Sequence, residues 1–457
     1  MLQEKNGKTT MIMRKKKRID KLKKSFGQLK DNDFRFDLIE RYFINKDNSD
    51  SFQVLSDKTC NDLDFKELFM FVDRTTSKVG QQFLYNKLRV IPNDINDTNK
   101  KEKLIKKLTA DFNFRINTQL QLEKLNKVDV FYISSLFQEE HQKPPKWFFI
   151  IKLLSFASFF SLIMFLFFPQ VFFVFLAILF INTGIHYWNK KYTYKYLGSI
   201  SQLLKLNKTA DNLFKEAAFK AIEPELQDSI LALNQVRNRI SFFRLEANLQ
   251  SDLEMIFWGI LELFKIAFIL EPLLLFGALK QLDNKRKEIE NIFCFVGEID
   301  TLVSIASLRK GLDKYCTPEI SESKLSIKSV YHPLIANCIT NSIEITDKSI
   351  LLTGSNMSGK TSFIRIIGLN MITGLTINTC FAELMLIPKL RIYSAIRISD
   401  DLMNNKSYYF EEVLTIKEMI EKSFNEKRNL FLLDEIFKGT NTIERISAGK
   451  AVLSTLA

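Results

Sequence analysis

Leu351-Leu352-Thr353-Gly354-Ser355-Asn356-Met357-Ser358-Gly359-Lys360-Thr361-Ser362 decides how the last third of this chain is read. The apolar run 350–352 has the texture of a buried strand, and 363–371 that of a helix. Between them stands G-x-x-x-x-G-K-T. In such a turn the backbone N–H groups, the helix N-terminus and the Lys360 ammonium converge on one polyphosphate. Gly354 and Gly359 allow a backbone approach that a Cβ would block. The cradle is expected to run through Gly354, Ser355, Asn356, Met357, Ser358, Gly359, Lys360, Thr361 and Ser362. Lys360 is placed on the β- and γ-phosphates and the Thr361 hydroxyl on Mg²⁺.

Hydrolysis needs a metal carboxylate and a group that positions water. Asn429-Leu430-Phe431-Leu432-Leu433-Asp434-Glu435 offers both. Its four apolar residues read as a buried parallel strand, and two carboxylates stand at the C-terminal end, where open α/β sheets bind ligands. Asp434 is expected to hold Mg²⁺, and Glu435 to polarise the attacking water.

Working upstream, the texture at 317–352 is one of short β-like runs, 326–330, 342–345 and 349–352, which opens an α/β domain at 317–457. Before it the chain is helical at 51–146 and again at 189–316. Residues 147–188 differ in kind. One charge, Lys152, lies in 147–168, Pro169-Gln170 interrupts, and 171–187 carries no full charge. Each half approaches the roughly 20 residues that cross a bilayer core. Trp147, Tyr187 and Trp188 stand where aromatic belts form, with Lys143, Lys146, Lys190, Lys191 and Lys195 beyond them. This predicts a transmembrane helical hairpin with both ends in the cytosol. The apolar stretch 253–279 contains Glu254, Glu262, Lys265, Glu271 and Pro272, with Glu254, Glu262 and Lys265 on one stripe and the last two spaced to pair. Membrane parity makes it a helix buried in protein or lying along the membrane. Residues 1–50 are polar, with Arg14-Lys15-Lys16-Lys17-Arg18, and read as a basic tail, either solvated or laid on anionic lipid or nucleic acid.

The formal charge of +13 suits an anionic partner. Five scattered cysteines, never at metal spacing, read as reduced buried thiols in a cytosolic environment. Three histidines far apart in sequence speak against a zinc site or a histidine triad. No apolar core follows the basic start, so no secretory signal is expected.

These residues carry a resemblance to the MutS family of mismatch-repair ATPases, within the ABC-type class. Thr353-Gly354-Ser355-Asn356-Met357-Ser358-Gly359-Lys360 resembles that family's T-G-P-N-M-x-G-K loop, with Ser355 for proline. Asp434-Glu435-Ile436-Phe437-Lys438-Gly439-Thr440-Asn441-Thr442 is similar to its D-E-x-x-[RK]-G-T-[ST]-T segment. Ser399-Asp400-Asp401-Leu402 and Ser407-Tyr408-Tyr409-Phe410-Glu411-Glu412 resemble a stretch that reaches a partner's nucleotide, which implies Ser407 as a contact in trans. Tyr331-His332-Pro333-Leu334 matches the entry to the ATPase domain. Leu63-Asp64, Leu68-Phe69, Asp73-Arg74-Thr75, Gly80, Leu84 and Leu88-Arg89 look like the start of the family's helical lever, and 295–308, with Glu298 and Asp300, like its end.

The resemblance implies ATP and Mg²⁺, a homodimer and DNA as a partner. It also implies departures. The family's mismatch-reading N-terminal modules are expected to be absent, since about fifty residues precede the lever. The strings Phe65-Lys66-Glu67 and Phe214-Lys215-Glu216 mimic the family's reader but sit in helical patterns and are rejected. The adenine-stacking aromatic falls at Cys338, and a further strand, a histidine and dimerising helices are expected beyond Ala457. The expected fold is mixed: an all-α lever with a transmembrane hairpin, then an α/β P-loop ATPase domain of ABC type. The expected function is ATP hydrolysis by an integral protein of the cytoplasmic membrane, with DNA held without mismatch readout. The alternative is a mechanical ATPase acting on a membrane partner without DNA.

Overall fold

The computed structural model describes residues 2–31, 33–94, 98–240, 252–346, 348–355, 358–396, 408–424, 428–437 and 441–456. The basic start is helical (α1, Leu2–Ser25). It docks through buried Leu22 and through Arg18, whose Nε donates to Glu123 at 2.7 Å. Two short turns follow, Phe36–Ile39 and Arg41–Asn45, in which Ile39 and Tyr42 are fully buried. The helical domain therefore begins upstream of residue 51. Polar composition hid this, because only a few apolar side chains make the contact.

Helices α2 (Asp57–Asp62) and α3 (Lys78–Arg89) follow, each opened by a serine N-cap whose hydroxyl accepts a backbone N–H. The next pair carries the long apolar segment: α4 (Phe148–Phe165) and α5 (Val171–Phe214). Three helices among the described residues are long and apolar enough to cross a membrane. The windows Phe148–Phe165 and Val171–Lys190 are only 17% and 11% buried, whereas Arg286–Gly311 is 89% buried inside the protein. Phe149, Phe156, Phe173 and Phe180 are exposed on the first two. Trp147 and Trp188 meet at the base, with ring centroids 4.9 Å apart. Below them α5 continues without a break into the helical domain, burying Ile200, Leu203, Leu206 and Leu213; its 44 residues make a rod of about 66 Å.

The stretch 253–279 forms two helices, α6 (Asp252–Ala267) and α7 (Leu270–Asp283), broken at Ile269 with φ of 50°. Pro272 explains the break, since in a continuous helix it would leave the Phe268 carbonyl without a donor and clash with it. Instead Ser155 Oγ donates to Phe268 O at 2.8 Å and Asn182 Nδ2 to Ala267 O at 2.7 Å. The turn is thus wedged between α4 and α5. Beneath it the expected Glu262–Lys265 pair forms at 2.6 Å, and Lys265 also reaches Glu271 at 3.2 Å. Lys190 and His186 each approach Glu262 at 3.2 Å. Among the described residues, two carboxylates meet two ammonium groups and the His186 ring in this cluster. His186, Glu262 and Glu271 could geometrically share a metal ion, but the lysines already supply the positive charge.

Helix α8 (Arg286–Gly311) is the axis of the helical domain. Its polar residues at 300, 304 and 307 lie on one stripe. Asp300 accepts from Thr76 N at 2.8 Å, Ser77 N at 2.7 Å and Ser77 Oγ at 2.6 Å. Ser304 accepts from Arg74 N and Ser307 from Gly27 N, at 2.8 and 2.9 Å. These bonds explain the motif around Asp73 and Gly80, because they hold the chain that leads into α3.

After residue 317 come β1 (Glu319–Ser321), β2 (Leu325–Val330), β3 (Asn341–Ile345), α9 (Lys360–Ile377), β4 (Leu384–Pro388), β5 (Arg391–Ala395), α10 (Tyr408–Ser423), β6 (Asn429–Leu433) and α11 (Thr442–Leu456). One sheet runs β1-β4-β2-β3, and β5 pairs with β6 in parallel, Arg391 opposite Asn429 through Ala395 opposite Leu433. The expected runs at 326–330, 342–345 and 429–433 are strands. The run before the phosphate loop is not. Ile350 and Leu351 are 44% and 75% exposed, and no ladder partner lies beside them among the described residues. Apolar texture alone makes no strand where nothing pairs with the backbone.

Candidate functional site

Helix α9 starts where it does because Gly359 takes a left-handed φ of +86°, which residues with a Cβ rarely adopt. Ser358 N donates to Ser355 O at 3.3 Å, closing the loop ahead of it. Gly354, Ser355, Ser358 and Gly359 are open to solvent, and Lys360, Thr361 and Ser362 are half-buried at the head of the helix. Lys360 Nζ donates to Gly354 O at 2.7 Å and Ser355 O at 2.9 Å, so its ammonium lies folded over the loop. An entering phosphate would replace those two carbonyls as acceptors.

Asp434 is fixed from the other side. Its N–H donates to Ala395 O at 3.0 Å, extending the β5–β6 ladder and placing the carboxylate at the strand's C-terminal end. Thr361 Oγ1 then donates to Asp434 Oδ2 at 2.5 Å. The hydroxyl and carboxylate assigned to Mg²⁺ are therefore brought together. Two hard oxygen donors beside a phosphate loop fit Mg²⁺, which keeps waters and substrate oxygens as its other ligands. Glu435 follows in a tight turn, with φ of 49° there and 61° at Phe437. Such values are costly for residues with a Cβ and need support from around them. Glu412 supplies it: its carboxylate is fully buried and accepts the Phe437 N–H. Sequence comparison noticed Glu412 only as part of a resembling stretch. A signal was there, since Glu412, Ile416 and Met419 share one face of α10 at helical spacing, an acid on an apolar stripe.

Asn356, Met357, Ser407 and residues 399–402 and 438–440 lie outside the described residues. Phe65 and Phe214 are 1% and 8% exposed, packed in the core, so neither is presented as a reader of DNA. His332 Nδ1 accepts from Leu334 N, and Cys338 Sγ accepts from His332 N, both at 3.3 Å. Burial pushes the His332 imidazole below its usual value, against the pull of Asp64, which suits an unprotonated accepting nitrogen.

Sequence reasoning missed how the helical domain grips this region. Gln53 pairs with the Ile392 backbone through both its amide atoms at 2.8 Å. Asp62 accepts from Ser394 Oγ at 2.7 Å and Ile396 N at 3.1 Å, and Asp64 pairs with Arg365 of α9 at 3.1 Å. Both β5 and α9 are thereby held by the chain around α2.

With loop, hydroxyl and carboxylates in place, comparison with known proteins speaks to their origin. Residues 350–457 match the family model of MutS domain V. The MutS-like region contains Lys360, Thr361, Asp434 and Glu435. The chain is 30% identical over 178 residues to the "DNA mismatch repair protein MutS" of Fusobacterium nucleatum subsp. nucleatum, covering 34% of this chain and 20% of that one. Against the protein of the same name from Pseudothermotoga lettingae it is 30% identical over 200 residues, 38% of this chain and 24% of that. For Fervidobacterium nodosum the figures are 30% over 193 residues, 40% and 23%. The matched part thus spans only a fifth to a quarter of the length of these relatives.

Proposed function

We propose that this chain is a MutS-like ATPase of the cytoplasmic membrane, anchored by the hairpin at 147–188, with its N- and C-terminal parts in the cytosol. The observation that carries the ATPase is the Thr361–Asp434 contact beside Lys360. Bound Mg²⁺ would neutralise charge on the β- and γ-phosphates. Thr361 and Asp434 would hold it, Lys360 would leave the loop carbonyls for phosphate oxygens, and Glu435 would orient the attacking water. Ser407 of a second copy completes the site in trans, so ATP closes a homodimer and moves the levers.

The anchor is supported by two apolar helices that are barely covered and paired tryptophans at their base. The wedge at 267–271 supports it too, because its freed carbonyls find side-chain donors where no water would be. DNA is bound through its backbone alone, with affinity falling steeply as salt rises.

One observation favours the second reading, a mechanical ATPase acting on a membrane partner without DNA. Helix α5 runs unbroken from the hairpin into the helical domain, a stiff link between the two. ATP turnover of the full-length chain in liposomes, with and without duplex, separates the readings: stimulation by DNA supports the first, and no duplex binding at low salt removes it. Lys360→Ala should lose nucleotide binding, and Glu435→Gln should bind ATP without turnover. Equal turnover by Glu435→Gln and wild type would overturn the assigned chemistry. A cysteine placed at Gln170 should react with impermeant reagent only from outside; reaction from the cytosol would reverse the hairpin.

A further inference from the structure

Cys316 and Cys380 face each other across an isolated antiparallel bridge. Cys316 N donates to Cys380 O at 3.0 Å, and Cys380 N to Cys316 O at 2.9 Å. Residues exchanging both bonds have Cα atoms about 5.5 Å apart. That lies within the separation of about 4.4–6.8 Å at which disulfides form. The Cys380 S–H donates to Asn370 O at 3.6 Å.

The thiols are unequal. Cys316 is half-buried and Cys380 wholly buried. The hydrogen bond from Cys380 lowers the Cys316 thiol below its usual value in spite of burial, whereas burial pushes Cys380 well up. One is the more accessible and the other lies opposite it, the arrangement of an attacking and a resolving cysteine.

Their position gives the pair consequence. Cys316 lies just beyond the end of α8, and Cys380 just beyond the end of α9, the helix that begins at Lys360. Arg309 already joins these ends. Its Nε donates to Thr379 Oγ1 at 3.0 Å and its Nη2 to Asn378 O at 2.7 Å, while both its terminal nitrogens hold Glu102 at 2.7 Å.

We propose that Cys316 and Cys380 form a reversible disulfide on exposure to a hydroperoxide, stapling the exit of α8 to the far end of the phosphate-loop helix. The Cys316 thiolate attacks the O–O bond, giving a sulfenic acid and releasing hydroxide or alkoxide. The Cys380 sulfur then attacks the sulfenic sulfur; the S–S bond forms, the S–O bond breaks, and the Cys380 proton leaves with the oxygen as water. Two thiols lose two electrons, and the peroxide is reduced by two.

The test treats the full chain in liposomes with hydrogen peroxide, then alkylates in denaturant and maps peptides without reductant. The expected result is a linked Cys316–Cys380 peptide, two of the five thiols lost to alkylation, and both restored by dithiothreitol. Cys316→Ser should abolish the link. The proposal is overturned if both residues remain alkylatable at doses that oxidise other thiols, or if either is found joined to Cys338 or to a second chain. Mapping the unaltered protein needs no variant, so a folding defect cannot blur the answer. Any effect on turnover rests on the ATPase reading, under which the oxidised form hydrolyses ATP several-fold more slowly and recovers on reduction. A linked peptide in a protein without ATPase activity would sink that reading and leave this one standing.

Discussion

Thr361 Oγ1 donates a 2.5 Å hydrogen bond to Asp434 Oδ2, joining the first turn of the phosphate-loop helix to the end of strand β6. The bond exists because the β5–β6 ladder is carried one residue further, through Asp434 N to Ala395 O. Asp434→Asn keeps the shape and the ladder but removes the charge that Mg²⁺ needs. Nucleotide titration should show metal-free binding within about two-fold of wild type and loss of the extra affinity conferred by Mg²⁺, for which a drop on the order of 10–100-fold is expected. An Mg²⁺ response equal to wild type would remove Asp434 from the metal site.

Asp300 leaves no room at Gly80. A Cβ there would run into the Asp300 carboxylate, which is engaged with Thr76 and Ser77. Gly80→Ala therefore has to displace a buried acid from three hydrogen bonds, and overpacking of this sort costs about 1–3 kcal/mol. The urea midpoint of the detergent-solubilised chain should fall accordingly, and an unchanged midpoint would mean that α3 and α8 can part without penalty.

Glu298 sets an acid limit on the helical domain. Burial alone would push its carboxyl up, but Lys87 and Lys101 outweigh burial and hold it at about 2. A carboxylate depressed in the folded state stabilises above its unfolded value, about 4.3, and that contribution drains away as pH falls toward the folded value. Burial also lowers Lys87, so the pair is worth less than the acid's shift alone suggests. Denaturant midpoints between pH 5 and 3 should slope downward in wild type and less steeply in Glu298→Gln. Parallel slopes would count against the pairing.

Lys265 is 2% exposed and lies between Glu262 and Glu271, itself 1% exposed. Lys265→Met takes from Glu262 and Glu271 the ammonium they share, a change that costs about 3–5 kcal/mol in buried pairs. Thermal unfolding in detergent should come markedly earlier. Lys265→Met with Glu271→Gln removes one charge of each sign and should recover most of the loss, and failure of that rescue would show that packing, not charge, governs the wedge.

Much of the molecule was legible in sequence because the signals are local. The glycine loop, the acids closing an apolar strand and two apolar runs parted by Pro169, with Lys152 the one charge in the first, are each local features of the chain. The Glu262–Lys265 pair was readable from helical spacing, and so were the strands at 326–330 and 429–433. The run at 350–352 misled, since a strand depends on a partner that composition cannot supply.

Local sequence, then, determined the chemistry on offer: a lysine and threonine heading one helix, an Asp-Glu pair ending one strand, and an apolar hairpin. Tertiary structure alone decided what meets what. It set Thr361 on Asp434, Glu412 under the turn that carries Glu435, and Asp62 and Asp64 on the strand and helix of the candidate site. It also put Ser155 and Asn182 on carbonyls freed by Pro272, and Cys316 opposite Cys380. The physical reason is common to all of them. A buried polar group must find a partner, and the partner is chosen by the packing of elements far apart in the chain, which no window of sequence contains.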